Sequence, residues 1–296
     1  MLTIASGNAT CTLYPELGGS LGGWTVAGQN MLRAADAAAV ASENPLNMSS
    51  FPLVPYSNRI GNAQFDWNGQ SIRLTRNFLP EAHAIHGVGW QRPWTIAGHS
   101  HNAVTMTLSH AGDDSWPWPF AATQQVKIDG NRLTLALRVV NLADQSLPLA
   151  FGHHPYFDAA AATLAFSADI VWMTGSDGLP TEPLVPENQF DFRNAGPVEG
   201  RNIDHCYAGV SGAARIWWAD RPLALEVSSS PQMGAAVVYI PANGDAFCFE
   251  PVPHINNALN LAGHVPAMPI VAAGGSFETV ITMIAIPNEY QGLGLD

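Results

Sequence analysis

Lysine is almost missing from this chain. Of 12 cationic residues only Lys127 is a lysine, against 24 acidic ones, and the formal net charge is −12. Nucleic acids and anionic membrane surfaces are gripped by clustered cations, so the balance argues against both as partners. Lys127 lies in the strand-like stretch QQVKIDG, which leaves little room for Schiff-base chemistry. Cysteine is scarce too. Cys11, Cys206 and Cys248 are odd in number and lack CxxC spacing, which disfavours a disulfide framework or a structural zinc site. The expected compartment is a reducing cytoplasm. No apolar run approaches the ~18 residues needed to span a bilayer, and the N-terminus has no basic segment followed by an apolar core. Charged residues make up only 12% and hydrophobic ones 47%, which excludes disorder and fits a neutral small molecule as ligand.

No βαβ alternation, heptad, tandem repeat or phosphate-binding glycine loop is present. Alternation of period two dominates instead. It sets Val104, Met106 and Leu108 against Thr105, Thr107 and Ser109, and lines up Leu133, Leu135, Leu137 and Val139. Near the C-terminus it sets Ile281, Met283 and Ala285 against Val280, Thr282, Ile284 and Ile286. Asn68-Gly69, Asp129-Gly130 and Asn243-Gly244 fall between such runs and predict hairpins. The only helical stretch is the short, alanine-rich RAADAAAVAS. The 22 prolines and 27 glycines are dispersed, with no linker, so residues 1–296 are expected to form one all-β domain, a large antiparallel β-sandwich. Loops between its strands would carry the chemistry.

Five segments gather polar side chains among aromatics and turns. They are PYSNRIGN with Arg59, HAIHGVGW with His83 and His86, FGHHPYF with His153 and His154, NIDHCYAG with Asp204 and His205, and FCFEPVPH with Glu250 and His254. Glu250 follows an apolar strand, where a carboxylate is costly without a partner or a cleft. His153 and His154 would point to opposite faces of an extended segment, so only one can look into a given site. The H-x-x-H pair His83/His86 and the H-x-H pair His99/His101 raise a metal site, but no glutamate follows the latter closely, and no metal is expected.

In this order, NRIGNAQFDWNG, HAIHGVGWQRPW, WPWPF, GHHPYF, DHCYAG and CFEPVPHINNALN resemble the aldose 1-epimerase (galactose mutarotase) family. The resemblance runs from about residue 55 to 260 and implies a β-sandwich of the supersandwich type. It implies interconversion of the α and β anomers of a small-molecule aldose, without metal or organic cofactor. It selects His154, which directly precedes the Pro155-Tyr156-Phe157 stretch, and leaves His153 to pack on the opposite face. Glu250 would be the base at the C1 hydroxyl and His154 the acid at the ring oxygen. His86 would steady charge developing near that oxygen, and Arg59 and Asp204 would grip sugar hydroxyls. Trp90, Trp116 and Trp118 are candidates for contact with the apolar sugar face.

Ring opening removes the C1 hydroxyl proton and delivers one to the ring oxygen, so a base and an acid must flank the anomeric carbon. Activity is then expected to fall in acid as the glutamate protonates and in alkali as the histidine loses its proton. Asn257 stands where many relatives carry aspartate, and WPWPF departs at its aromatic positions, which leaves the sugar open. Three alternatives remain. A hexose-phosphate mutarotase would need a cation cluster, and the nearest arginine pair in sequence is Arg73 and Arg76. A non-catalytic sugar-binding protein would not need both Glu250 and His154. A glycoside hydrolase would use a carboxylate pair such as Asp204 and Glu250.

Overall fold

The alternating residues become buried faces. Val104, Met106, Leu133, Leu135, Leu137 and Val139 are fully buried, and their strand neighbours Thr105, Thr107, Thr134 and Ala136 are half-buried. Ile281, Met283 and Ala285 turn inward and Val280, Thr282 and Ile284 stay partly exposed, as a strand solvated on one side requires. The computed structural model describes residues 1–261, 263 and 266–289.

Two large antiparallel sheets carry the fold. The nine-stranded one runs Thr95–His99, Ala103–His110, Phe120–Asp129, Arg132–Asn141, Ser276–Pro287, Leu223–Ser229, Ser211–Trp218, Ala162–Ser167 and Gly196–Pro197. The six-stranded one runs Tyr156–Asp158, Ala246–Val252, Ala235–Ile240, Ile203–Ala208, Ile170–Thr174 and Pro180–Leu184. Residues 2–30 form a further four-stranded sheet. The main hydrophobic core joins Val104, Leu135 and Met283 of the larger sheet to Phe157, Val238, Phe247 and Phe249 of the smaller one. This is the expected antiparallel sandwich.

The hairpin signals hold with one shift. Asn68 and Gly69, both at positive φ, join Gln64–Trp67 to Gln70–Arg73. Strand pairing continues through Asp129↔Arg132, so the second loop is Gly130-Asn131, one residue later than expected. Pro241–Asp245, containing Asn243-Gly244, is a longer loop between the strands ending at Ile240 and starting at Ala246. The helix is shorter than its alanine-rich stretch, Ala37–Ala41, capped by Asp36 accepting from the Ala39 N–H. Among the described residues no helix is long and apolar enough to cross a membrane.

One consequence of the pleat positions everything that follows. On Ala246–Val252, Phe247 and Phe249 point into the core between the sheets, so Cys248 and Glu250 point outward. On neighbouring strands the same parity turns Tyr156, Val237, Tyr239 and Asp204 to that outer face, opposite Phe157, Val238 and Ile203. Segments from the first 90 residues fold over it and enclose a cavity.

Candidate active site

The cavity holds about 390 Å³. Its floor is the outer face of the six-stranded sheet, with Glu250, Tyr156, Asp204, Val237 and Tyr239. Its walls come from the covering segments, with Arg33, Leu46, Asn58, Arg59, Phe78, Ile85 and His86.

Strand register brings the two central groups together. Asp158↔Ala246, Phe157↔Phe247 and Tyr156↔Cys248 are antiparallel partners, and the same register carried on places His154 opposite Glu250. His154 Nε2 lies 3.4 Å from Glu250 Oε1, with both side chains buried. His153 faces the other way. Gln124 donates to the Gly19 carbonyl, so its Oε1 accepts from His153 Nε2, at 3.0 Å, on the side of the nine-stranded sheet. The two adjacent histidines therefore serve opposite faces.

The His154 ring is clamped. Phe51 stacks on it at 4.8 Å between ring centroids and Tyr156 at 4.6 Å, and those two rings lie 6.4 Å from each other, so the three form one aromatic cluster. The segment carrying Phe51 is tied to this strand by His154 N–H donating to the Phe51 carbonyl and Tyr156 N–H donating to that of Ser49. His86 stands edge-on to His154 at 5.3 Å. His86 Nδ1 accepts from the Asn58 backbone N–H at 3.1 Å, so the neutral ring carries its proton on Nε2 and is a donor there. The residue is held at φ +59°, next to Gly87 at +66°. Arg59 is fixed by Glu81 at 3.3 Å and Asp204 at 3.4 Å, which leaves a guanidinium and a carboxylate side by side on the cavity wall.

Burial sets the resting protonation. It pushes Glu250 well above the ordinary carboxylate range; the Asp204 charge adds to this and Arg59 opposes it. It pulls His154 down to about 3, with the Arg33 charge acting in the same direction. A 3.4 Å imidazole–carboxyl contact suits either an ion pair or a neutral pair sharing one proton, and burial favours the neutral pair. His86 is also held well below its ordinary value, by burial first and then by His154 and Arg59. Burial thus favours an uncharged resting pair over the expected carboxylate and imidazolium.

Glu250, His154, His86, Arg59 and Asp204 all line this one cavity. The tryptophans do not. Trp90 is 2% exposed and sits behind Phe51, 5.7 Å between ring centroids, facing a separate groove. Trp118 packs edge-on against the fully buried Trp116, itself stacked with Phe65 in the main core. Large rings in WPWPF gain more from burial than from a solvent-facing rim. Apolar contact in the cavity instead comes from Phe78, Tyr156 and Tyr239. Asn257 does not line it either; its Oδ1 accepts from the Gly61 N–H at 2.8 Å, and its backbone N–H donates to the Arg59 carbonyl.

The histidine pairs do not converge. His83 Nδ1 accepts from Asn62 N–H and its Nε2 donates to the Asp177 carbonyl, while His99 and His101 are exposed. His254 is buried, bonded to the Ile255 carbonyl and the Ser57 N–H. Among the described residues one trio, His154, Cys248 and Glu250, brings donor atoms within 4.8 Å of one another. Burial raises the Cys248 thiol well above its usual range, whereas a metal-bound cysteine is a thiolate, so a cation there would have to displace that proton. Sequence reasoning passed over Arg33, Asn58, Phe78 and Tyr239. Tyr239 alone had a usable signal, its outward parity on a strand paired with that of Glu250.

The aldose 1-epimerase family profile matches residues 1–283. The chain belongs to the aldose 1-epimerase family. An aldose 1-epimerase of Haemophilus influenzae is 31% identical over 158 residues, 49% of this chain and 46% of that protein. The uncharacterized protein YphB of Escherichia coli K12 is 28% identical over 234 residues, covering 76% and 78% of the two chains. Among solved structures, a galactose mutarotase-like protein of Clostridium acetobutylicum superposes with a TM-score of 0.86 at 18% identity, over 96% of this chain and 94% of that one. Galactose 1-epimerase of Lactobacillus acidophilus superposes with a TM-score of 0.77 at 18% identity, over 96% and 93%. At these identities the structural likeness shows the aldose 1-epimerase fold, and the site is argued from its own geometry.

Proposed function

We propose that the protein interconverts the α and β anomers of a free aldose by acid–base opening and closure of the hemiacetal ring. The observation that carries this reading is the buried His154–Glu250 contact, 3.4 Å long, in a cavity of about 390 Å³ edged by Arg59 and Asp204. A carboxyl and an imidazole buried together are costly unless they exchange protons with a ligand or with each other. Together they hold one transferable proton.

Sugar hydroxyls donating to Glu250 favour its carboxylate, and the proton that burial leaves there passes to His154 Nε2. Glu250 then takes the proton of the C1 hydroxyl while His154 gives its own to the ring oxygen. The C1–O5 bond breaks and an aldehyde forms. Rotation about C1–C2 presents the other carbonyl face, and closure runs the two transfers backwards. No covalent intermediate arises and the pair ends with its single proton. His86, a neutral donor at Nε2, faces the oxygen that gains charge, and Arg59 and Asp204 orient the ring hydroxyls. Positioned acid and base groups contribute about 10² to 10⁴ each.

A phosphorylated sugar is the weaker reading. Arg33 and Arg59 are the cations lining the cavity, and Arg59 is committed to Glu81 and Asp204. Anomerisation of glucose 6-phosphate compared with free glucose and galactose tests the choice. A strong preference for the phosphate overturns it.

A further inference from the structure

Arg33 has no part in the chemistry above, yet it is fixed with some care. Its backbone N–H donates to the Tyr156 carbonyl at 2.8 Å. Its guanidinium donates to the carbonyls of Leu46 at 2.9 Å and Met48 at 2.6 Å, and its central carbon lies 3.9 Å above the centre of the Tyr156 ring. The Tyr156 ring also stacks on His154. Tyr156 thus touches both the Arg33 cation and the His154 ring beside the cavity. No carboxylate lies within ion-pair distance of Arg33 among the described residues, whereas Arg59, Arg92, Arg193 and Arg221 are each paired. A half-buried guanidinium held by neutral carbonyls keeps its field, because no counter-charge cancels it.

We propose that Arg33 is a positioning residue that sets the acidity of His154, its neighbour across the Tyr156 ring that both touch. An imidazolium forming at His154 is repelled by the fixed cation one ring away, which makes it a stronger acid toward the ring oxygen. The same repulsion keeps the empty site from taking up a second proton, which would remove its base. The other groups facing His154 are Glu250, His86 and Cys248, with Arg59, Asp204, Tyr239 and Asp245 around the cavity. Burial holds Cys248 and Tyr156 neutral, and Arg59 is offset by Glu81 and Asp204. Among the described residues Arg33 is therefore the cation lining the cavity that has no carboxylate within ion-pair distance. The lowered His154 value, to which the Arg33 charge contributes after burial, agrees with this placement.

The role presupposes that His154 exchanges protons in the reaction proposed above, so the decisive readout is independent of turnover. Histidine ring resonances, with His154 assigned from the His154→Asn spectrum, are titrated by NMR in wild type, Arg33→Lys and Arg33→Gln. Arg33→Gln should raise the His154 midpoint by about one unit, a roughly tenfold gain in proton affinity, and Arg33→Lys should leave it near wild type. The acid limb of kcat/KM should move up with it in Arg33→Gln alone. Equal His154 midpoints in the lysine and glutamine variants overturn the proposal, as does a rate lowered equally at every pH with no shift. Should Arg33→Gln not fold, citrulline at position 33 supplies the neutral isostere. A shifted midpoint in a protein that anomerises no aldose would leave the Arg33 role standing and overturn the proposed function.

Discussion

His154 and Glu250 lie across from each other because Tyr156 pairs with Cys248 one pleat further along, and the result is a 3.4 Å contact between Nε2 and Oε1 on the outer face of the six-stranded sheet. Each member holds the other's exchangeable proton within reach. Glu250→Gln and His154→Asn should each lower anomerisation by at least ~10², the low end of what a positioned acid or base supplies. His153→Asn should act on stability and change the rate much less, since His153 is bonded to Gln124 on the opposite face. Rates from NMR exchange and midpoints from thermal unfolding separate the two effects.

The pH profile follows from the direction of the shifts. In the proposed mechanism the pair works with one proton. It gains a second only as His154 protonates, pulled to about 3, and loses its last as Glu250 ionises, pushed well above the usual range. Activity should be level across mid-range pH, fall in acid as His154 takes up a proton and fall in alkali as Glu250 gives one up. That inverts the assignment expected from an ionised resting pair. A bell centred between ordinary glutamate and histidine values in kcat/KM would contradict it.

Much of this was legible in the chain. Period-two runs fixed which residues of Ala103–His110 and Arg132–Asn141 face the core, and parity alone separated His153 from His154. The order of the polar segments led to five residues that share a cavity. What stayed hidden depends on contacts distant in sequence. Arg33, Phe51 and Phe78 sit on covering segments with no periodicity to place them, and Trp90 and Trp118 carry the composition of a sugar platform but the packing of a core. The resting protonation of Glu250 was equally unreadable, because burial is a property of the fold and not of the motif.

The aromatic lining of the cavity can be checked directly. Trp118→Phe should leave KM unchanged and cost only stability, because its ring packs on Trp116 and Phe65. Phe78→Ala or Tyr239→Ala should raise KM about two- to tenfold, the worth of one aromatic contact of roughly 0.5–1.5 kcal/mol. Steady-state kinetics on the preferred aldose decide between the two walls.

Gly87 is the backbone position on which His86 depends. A Cβ there would collide with the Val54 carbonyl, which is held in place by the N–H groups of Val88 and Gly89, and the residue sits at φ +66°. Gly87→Ala should cost about 3 kcal/mol or more, from strain and overpacking together. Urea unfolding measures it, and a loss under ~0.5 kcal/mol would mean that the segment shifts freely.

Acid should weaken the fold before it stops the chemistry. Burial lowers His153 to about 3 and His254 to about 4, so between the ordinary histidine value and these the unfolded chain binds more protons than the folded one. Stability is then full above about pH 6.5 and falls as pH drops, by up to ~1.4 kcal/mol per pH unit for each histidine. Glu250, raised by burial, works in the opposite direction as pH climbs. Urea midpoints at pH 7, 6 and 5 should decline in sequence; equal midpoints would contradict the buried, neutral histidines.

Saturation-exchange NMR between α- and β-anomer signals, run across free hexoses, pentoses and deoxy sugars, tests the central claim most directly. Wild type should speed exchange for at least one free aldose, and Glu250→Gln and His154→Asn should each leave about 1% or less of that acceleration. Unaccelerated exchange for every sugar, or undiminished exchange in the Glu250→Gln variant, would contradict it.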